Sequence, residues 1–157
     1  MKKLIREKMK VTDGLFFEIR LTSRYINIMG VQAFEKLNIS ISFEEYLILD
    51  ILSYNEGICP RDLARMLLRD RSNLGKIING LGKKKLIKIK PSIRNNRAVK
   101  LLYITDKGLE MRGDIYEKIE PYLKVFDETI SAEEQKMIAK YMQKCRQILD
   151  DIVETKI

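Results

Sequence analysis

Leu63-Ala64-Arg65-Met66-Leu67-Leu68-Arg69-Asp70-Arg71-Ser72-Asn73-Leu74-Gly75-Lys76-Ile77-Ile78-Asn79-Gly80-Leu81 decides the fold. Leu63, Ala64, Leu67 and Leu68 form one apolar stripe, and Leu74, Ile77, Ile78 and Leu81 form a second. Recurrence at i, i+3, i+4 and i+7 marks one buried face of a helix. Pro60, just upstream, suits the first turn of the first helix. Between the stripes Arg69-Asp70-Arg71-Ser72 is a polar turn, and Asp70 is placed to cap the second helix, where a carboxylate accepts from otherwise unpaired N–H groups. With Leu74, Ile77, Ile78 and Leu81 turned inward, Ser72, Asn73, Lys76, Asn79 and Lys83 face out. Two short helices joined by a tight turn, the second polar and basic on its outer face, make a helix-turn-helix.

Downstream the period changes from 3.6 to two. Leu86-Ile87-Lys88-Ile89-Lys90 alternates apolar and basic residues, and Val99 to Ile104 supplies a partner strand. Pro91-Ser92-Ile93-Arg94-Asn95-Asn96-Arg97 reads as the tip of that hairpin. Thr105 is expected to cap a helix carrying Met111, Ile115, Ile119, Leu123 and Phe126, with a kink or break at Pro121. Ser131 and Glu134 form a capping box ahead of a last helix striped by Ile138, Tyr141, Met142, Cys145, Ile148, Leu149 and Ile152. Upstream, Leu15, Phe16, Ile19, Ile26, Met29, Phe34 and Leu37 predict a first helix that Gly30 bends or loosens. Ser42 with Glu45 opens a second helix striped by Phe43, Leu47, Ile48, Ile51 and Leu52, which stops near Asn55-Glu56-Gly57. The fold class expected is mainly α with a small β-hairpin.

The 157 residues carry a net charge of +8, but unevenly. Residues 1–56 balance eight basic against eight acidic side chains, and residues 109–157 hold eight against eleven. Residues 57–108 hold fourteen basic against three acidic, Asp62, Asp70 and Asp106. One sign gathered in a central block points to a polyanionic partner rather than to a merely solvated face. Histidine is absent, which removes the commonest general base and metal ligand. No glycine-rich phosphate loop or nucleophile beside a base appears either, so the chain is read as not an enzyme, with no cofactor and no metal. Asp150, Asp151 and Glu154 read as a solvated helix end. The basic start Met1-Lys2-Lys3-Leu4-Ile5-Arg6-Glu7-Lys8 leads into no apolar run, so neither a secretory signal nor a membrane span is expected, and the location expected is cytoplasmic.

The centre of the chain resembles the MarR family of bacterial winged-helix transcriptional repressors. The resemblance rests on Ser42-Phe43-Glu44-Glu45-Tyr46-Leu47-Ile48-Leu49-Asp50-Ile51-Leu52, Leu63-Ala64, Leu67, Asp70-Arg71-Ser72-Asn73-Leu74, Leu81-Gly82-Lys83-Lys84-Lys85-Leu86-Ile87 and Ile104-Thr105-Asp106-Lys107-Gly108. It implies a winged helix-turn-helix over 38–108, an N-terminal dimerisation helix over 1–37 and C-terminal dimerisation helices over 109–157, integrated as one domain. It also implies a homodimer in which the first and last helices of the two subunits interleave. Such a dimer would read a pseudo-palindromic operator and regulate transcription. Two departures stand out. Lys85 replaces the glycine usual before the Leu-Ile that begins the wing, and Asn95 stands where the wing usually has an aspartate, with Arg97 kept.

The residues expected at the DNA are Arg71, Ser72, Asn73, Lys76, Asn79, Lys83, Lys84, Lys88, Lys90, Arg94, Asn95 and Arg97. Asn pairs bidentately with adenine and Lys reaches guanine acceptors, so Ser72, Asn73, Lys76 and Asn79 would read bases in the major groove. Lys83, Lys84, Lys88 and Lys90 would meet phosphates and set register. Arg94 and Arg97 would enter the minor groove, whose negative potential favours arginine. A small aromatic or anionic effector could meet Phe16, Phe17, Tyr25, Tyr46 and Tyr103, with Arg20 and Arg24 nearby in sequence; ordinary packing accounts for most of these aromatics. Cys59 and Cys145 read as small packing residues, with Arg61 the one neighbour that favours a reactive thiolate at Cys59. The competing reading is a winged-helix module that binds a protein, or nucleic acid without sequence preference.

Overall fold

A computed structural model describes Thr12, residues 14–94 and residues 96–153. The start at residues 1–11, Asn95 of the hairpin and Glu154 lie outside the described residues. The described chain runs α1 (Leu15–Lys36), α2 (Phe43–Tyr54), α3 (Pro60–Leu67), α4 (Arg71–Lys83), β1 (Ile87–Arg94), β2 (Arg97–Ile104), α5 (Asp106–Thr129) and α6 (Ala132–Ile152). It divides into two compact units, residues 1–43 and 44–157.

In the first unit α1 runs unbroken through Gly30, where a bend was expected. The glycine serves a close approach instead: a Cβ there would lie 2.6 Å from the Phe43 ring, which also stacks edge-on to Phe34 at 5.5 Å. The helix stops because Asn38 turns left-handed (φ 51°), so that Asn38 N–H reaches Glu35 O and Ile39 N–H reaches Phe34 O. Those two bonds satisfy carbonyls that a helix end leaves open.

In the second unit most of the predicted stripes meet in one core, joined by Leu49, whereas Leu68, expected inside, is the left-handed C-cap of α3 and stands exposed, as does Leu47. Ile48, Leu49 and Leu52 of α2, Leu63 of α3, Leu74 and Leu81 of α4, and Leu86 and Leu102 at the hairpin are fully buried. The caps fall where the sequence places them. Pro60 opens α3, Thr105 Oγ1 accepts from Gly108 N–H at the start of α5, and Ser131 and Glu134 close the capping box of α6. Helix α5 passes through Pro121 without breaking. Arg112 of α5 ties that helix to α2: its Nε donates to Asp50 Oδ1 (2.9 Å), its Nη2 donates to Tyr54 Oη (2.9 Å), and its guanidinium lies over the Tyr54 and Tyr116 rings. Burial, with Asp50 adding to it, pushes the Tyr46 hydroxyl above the ordinary phenol range.

The hairpin is longer and tighter than its expected form. Register runs from Ile87↔Ile104 to Arg94↔Arg97, so residues 91–94 and 97–98 are strand and not tip. Pro91 is compatible with this because each strand of a two-stranded ribbon has a free edge that needs no N–H donor. Between the strand ends at Arg94 and Arg97, Asn96 adopts φ 58°, a left-handed conformation that asparagine tolerates. The apolar pair Ile58-Cys59 does more than lead into α3: Leu102 N–H bonds Ile58 O at 2.9 Å and Gly57 N–H bonds Leu102 O at 3.0 Å, so the loop bridges the root of the wing.

Lys85 resolves the first departure by accepting the left-handed backbone (φ 60°). Leu86 N–H reaches Leu81 O and Lys85 N–H reaches Gly82 O, both at 3.0 Å, while Leu81 and Leu86 are buried together. The Schellman arrangement is therefore complete without its usual glycine. A side chain in this region is strained by about 1–2 kcal/mol, part of which glycine would return as unfolded-state entropy. Lys85→Gly is expected to stabilise the fold by about 1 kcal/mol, read as a rise of a few degrees in thermal midpoint.

A candidate nucleic-acid interface on helix α4 and the wing

From Arg71 to Thr105 the sequence has ten basic residues and no acidic one. In the structure this run forms α4 and the hairpin. Leu74, Ile78 and Leu81 turn into the core, and Arg71, Ser72, Asn73, Lys76, Asn79 and Lys83 lie exposed on the other side of α4. Lys88, Lys90, Arg94 and Arg97 are exposed on the wing.

Internal partners sort these side chains further. Asp70 caps α4 by accepting from Asn73 N–H at 2.9 Å, and its second oxygen takes the Asn73 side-chain amide. Asn73 is thus a held side chain whose amide nitrogen is already engaged. Lys84, expected at a phosphate, instead donates to both carboxylate oxygens of Glu45 at 2.7 and 2.8 Å, so its charge is spent tying the end of α4 to the first turn of α2. Arg94, expected at the wing tip, reaches back to Gly57 O at 3.3 Å. Lys90 Nζ sits 5.1 Å above the Tyr103 ring, which fixes the lysine stem along the wing. Sequence reading could not separate spent from available cations, because Glu45 and Gly57 are distant in the chain and near only after folding. It also passed over Lys100, exposed on β2 opposite Pro91.

The hydrogen bonds from Asn73 and Ser72 hold the Asp70 carboxyl below the usual carboxylate range. Asp62 is held low as well, first by the Cys59 thiol that donates to it at 3.0 Å and then by Arg61. A carboxyl depressed in the folded state stabilises above its unfolded pKa and loses that contribution as pH falls through its folded value. Stability is therefore expected to fall on acidification below about pH 4, with Asp70→Asn flattening the drop in a pH series of thermal melts.

The aromatic residues expected around an effector are placed differently. Tyr46 is core, Tyr103 is half-buried under Lys90, and Phe16 and Tyr25 stand exposed on α1. An open hollow of about 540 Å³ is lined by others, among them Arg65, Met66, Leu68, Arg146, Leu149 and Val153. Cys59 is buried and Cys145 half-buried.

Solved structures share this arrangement over almost the whole chain. A MarR-family regulator from Listeria monocytogenes, solved with a 26mer DNA, is 25% identical with a TM-score of 0.73, covering 88% of this chain and 90% of its own. A MarR protein from Peptoclostridium difficile is 23% identical with a TM-score of 0.72, covering 91% and 92%. The fold is MarR-type. The S. aureus MepR–DNA complex agrees, at 19% identity and a TM-score of 0.71 over 90% of this chain and 99% of that one. No family sequence model and no curated protein matches the chain. Within the MarR-type fold α4 is the second helix of the helix-turn-helix and β1–β2 is the wing. Among the described residues no helix is long and apolar enough to cross a membrane.

Proposed function

We propose that this chain is a homodimeric, sequence-specific DNA-binding transcriptional regulator, acting as a repressor that a small aromatic or anionic effector, or a redox signal, releases. The observation that carries the reading is the acid-free run from Arg71 to Thr105, folded into an exposed helix face and a projecting wing. A major groove accepts one helix, and Ser72, Asn73, Lys76 and Asn79 are the outward side chains at the start of α4 that would read bases. Arg71, Lys83, Lys88 and Lys90 would hold phosphates. Arg97, with Asn95 two positions before it in sequence, would reach the minor groove. Two solved structures of this fold contain DNA, which supports the DNA-binding reading.

Dimerisation is supported by unpartnered apolar surface on each flank. Phe16, Tyr25 and Ile26 are exposed on α1, and α6 has no buried residue over its 21 positions while Met137, Tyr141, Ile148 and Ile152 face solvent. Such faces mark association surfaces. The DNA-reading helices of a symmetric dimer meet half-sites about 10 base pairs apart. For release, the hollow at Arg65 and Arg146 offers two guanidiniums beside apolar walls.

Footprinting on fragments selected from the source genome tests the reading. One protected pseudo-palindrome is expected, with Arg97→Ala weakening binding to all operators and Lys76→Ala or Asn79→Ala changing which base is preferred. Uniform, salt-sensitive coating of every fragment would instead favour a module without sequence preference.

A further inference from the structure

We propose that the wing carries an apolar wedge, Ile93 supported by Pro91, that enters the minor groove of duplex DNA and opens a base step. The inference rests on the DNA-binding reading above and adds a contact of a different chemical kind.

Ile93 is 76% exposed, the highest value among the large apolar side chains described. It is not isolated. Register places Ile89, Pro91 and Ile93 on one face of β1, with Ala98 directly opposite Ile93. Ile89 is 40% exposed, and Pro91 and Ala98 are exposed too. A free ribbon edge ordinarily carries charge on both faces to discourage pairing with other strands. Here one face of the outer wing carries Pro91, Ile93 and Ala98 with the cation Lys100 opposite Pro91, and the other carries Lys90, Arg94 and Arg97, with Arg94 paired directly across from Arg97. Arg94 turns its guanidinium to Gly57 O, which leaves Arg97 as the exposed cation at the end of that face. The occupant that suits both faces offers phosphates on one side and apolar surface on the other. A DNA groove does so, with phosphates along its rim and sugars and base faces within.

The dimensions suit the minor groove. Four residue pairs, from Pro91↔Lys100 to Arg94↔Arg97, are exposed except for half-buried Ser92 and Val99. At about 3.3 Å per residue they extend roughly 13 Å, enough to reach the floor of a groove about 7.5 Å deep. The major groove of the same half-site would be filled by α4. Ile93 is β-branched and stiff at χ1, so little side-chain freedom is lost on insertion, and the proline ring beside it has none to lose. Apolar wedges of this kind unstack a step and bend the duplex, most readily at pyrimidine–purine steps.

The test uses the full chain and a 30-base-pair duplex selected from a random pool by the unmodified protein, with 2-aminopurine placed at successive adenines. Binding is expected to raise fluorescence several-fold at one step per half-site. Ile93→Ser should abolish that rise and weaken binding about tenfold, with an unchanged slope of log affinity against log salt, whereas Ile93→Leu should retain both. Ile93→Ser with unaltered affinity and unaltered fluorescence overturns the wedge and leaves the DNA reading standing. A lowered thermal midpoint or a changed oligomeric state in Ile93→Ser overturns it as well, because the strip would then be a packing surface of the protein. If the unmodified protein retains no duplex from the pool, the wedge falls together with the reading on which it rests.

Discussion

Gly108→Ala is expected to lower folding stability by about 3 kcal/mol, a drop of roughly 10 °C in thermal midpoint for a chain of this size. The cause is a single atom. A Cβ at position 108 would lie 2.2 Å from Leu86 O and 2.8 Å from Ile104 Cγ1. Leu86 O cannot move aside, because it accepts from both Thr105 N–H (3.1 Å) and Thr105 Oγ1 (3.0 Å). Leu86 also closes the left-handed turn at the end of α4. The first turn of α5, the end of α4 and the root of the wing therefore share one junction, and only glycine lets them meet. Gly113 is the control. It lies in the same helix with nothing within 4 Å of its Cβ position, so Gly113→Ala should stabilise by up to about 1 kcal/mol through helix propensity alone. Equal effects of the two substitutions in denaturant melts would contradict the junction.

Raising monovalent salt from about 50 to about 200 mM is expected to weaken operator binding by about 10⁴-fold. A dimer that neutralises roughly eight phosphates releases that many counterions, which gives a log–log slope near −7. The structure says which substitutions should change the slope. Lys83→Ala and Lys88→Ala each remove an exposed cation from both copies, and each should flatten the slope by about 2. Lys84→Ala should leave it unchanged and lower stability instead, because Lys84 Nζ is already bound to both oxygens of Glu45. A loss of slope in the Lys84 variant equal to that in the Lys83 variant would show that the Glu45 pair opens on DNA.

Those two results depend on different amounts of foresight. The salt dependence could be expected from composition, since the fourteen basic residues between positions 57 and 108 are a property of the sequence whatever its fold. The partition between Lys83 and Lys84, neighbours in the chain, could not, because the Glu45 that engages Lys84 lies thirty-nine positions away. Gly108 lay within the text of the family resemblance, but its reason did not: nothing local announces that the Leu86 carbonyl will sit against it. The wing shows the same limit. Alternation along the sequence extends only to Lys90, with Pro91 opening the expected tip, whereas a two-stranded ribbon leaves the Pro91 nitrogen free of any pairing duty.

The order of helices and strands, their caps at Asp70, Thr105 and Ser131, and the inward and outward faces of α4 are determined by the sequence itself. Each follows from spacing within a few residues, where periodicity and capping chemistry act without help from the rest of the chain. The close contact at Gly108 and the engagement of Lys84 by Glu45 and of Arg94 by Gly57 O were decided only by tertiary structure. These depend on which remote carbonyl or carboxylate comes within about 3 Å, and a hydrogen bond is too short-ranged for pattern along the chain to encode its partner.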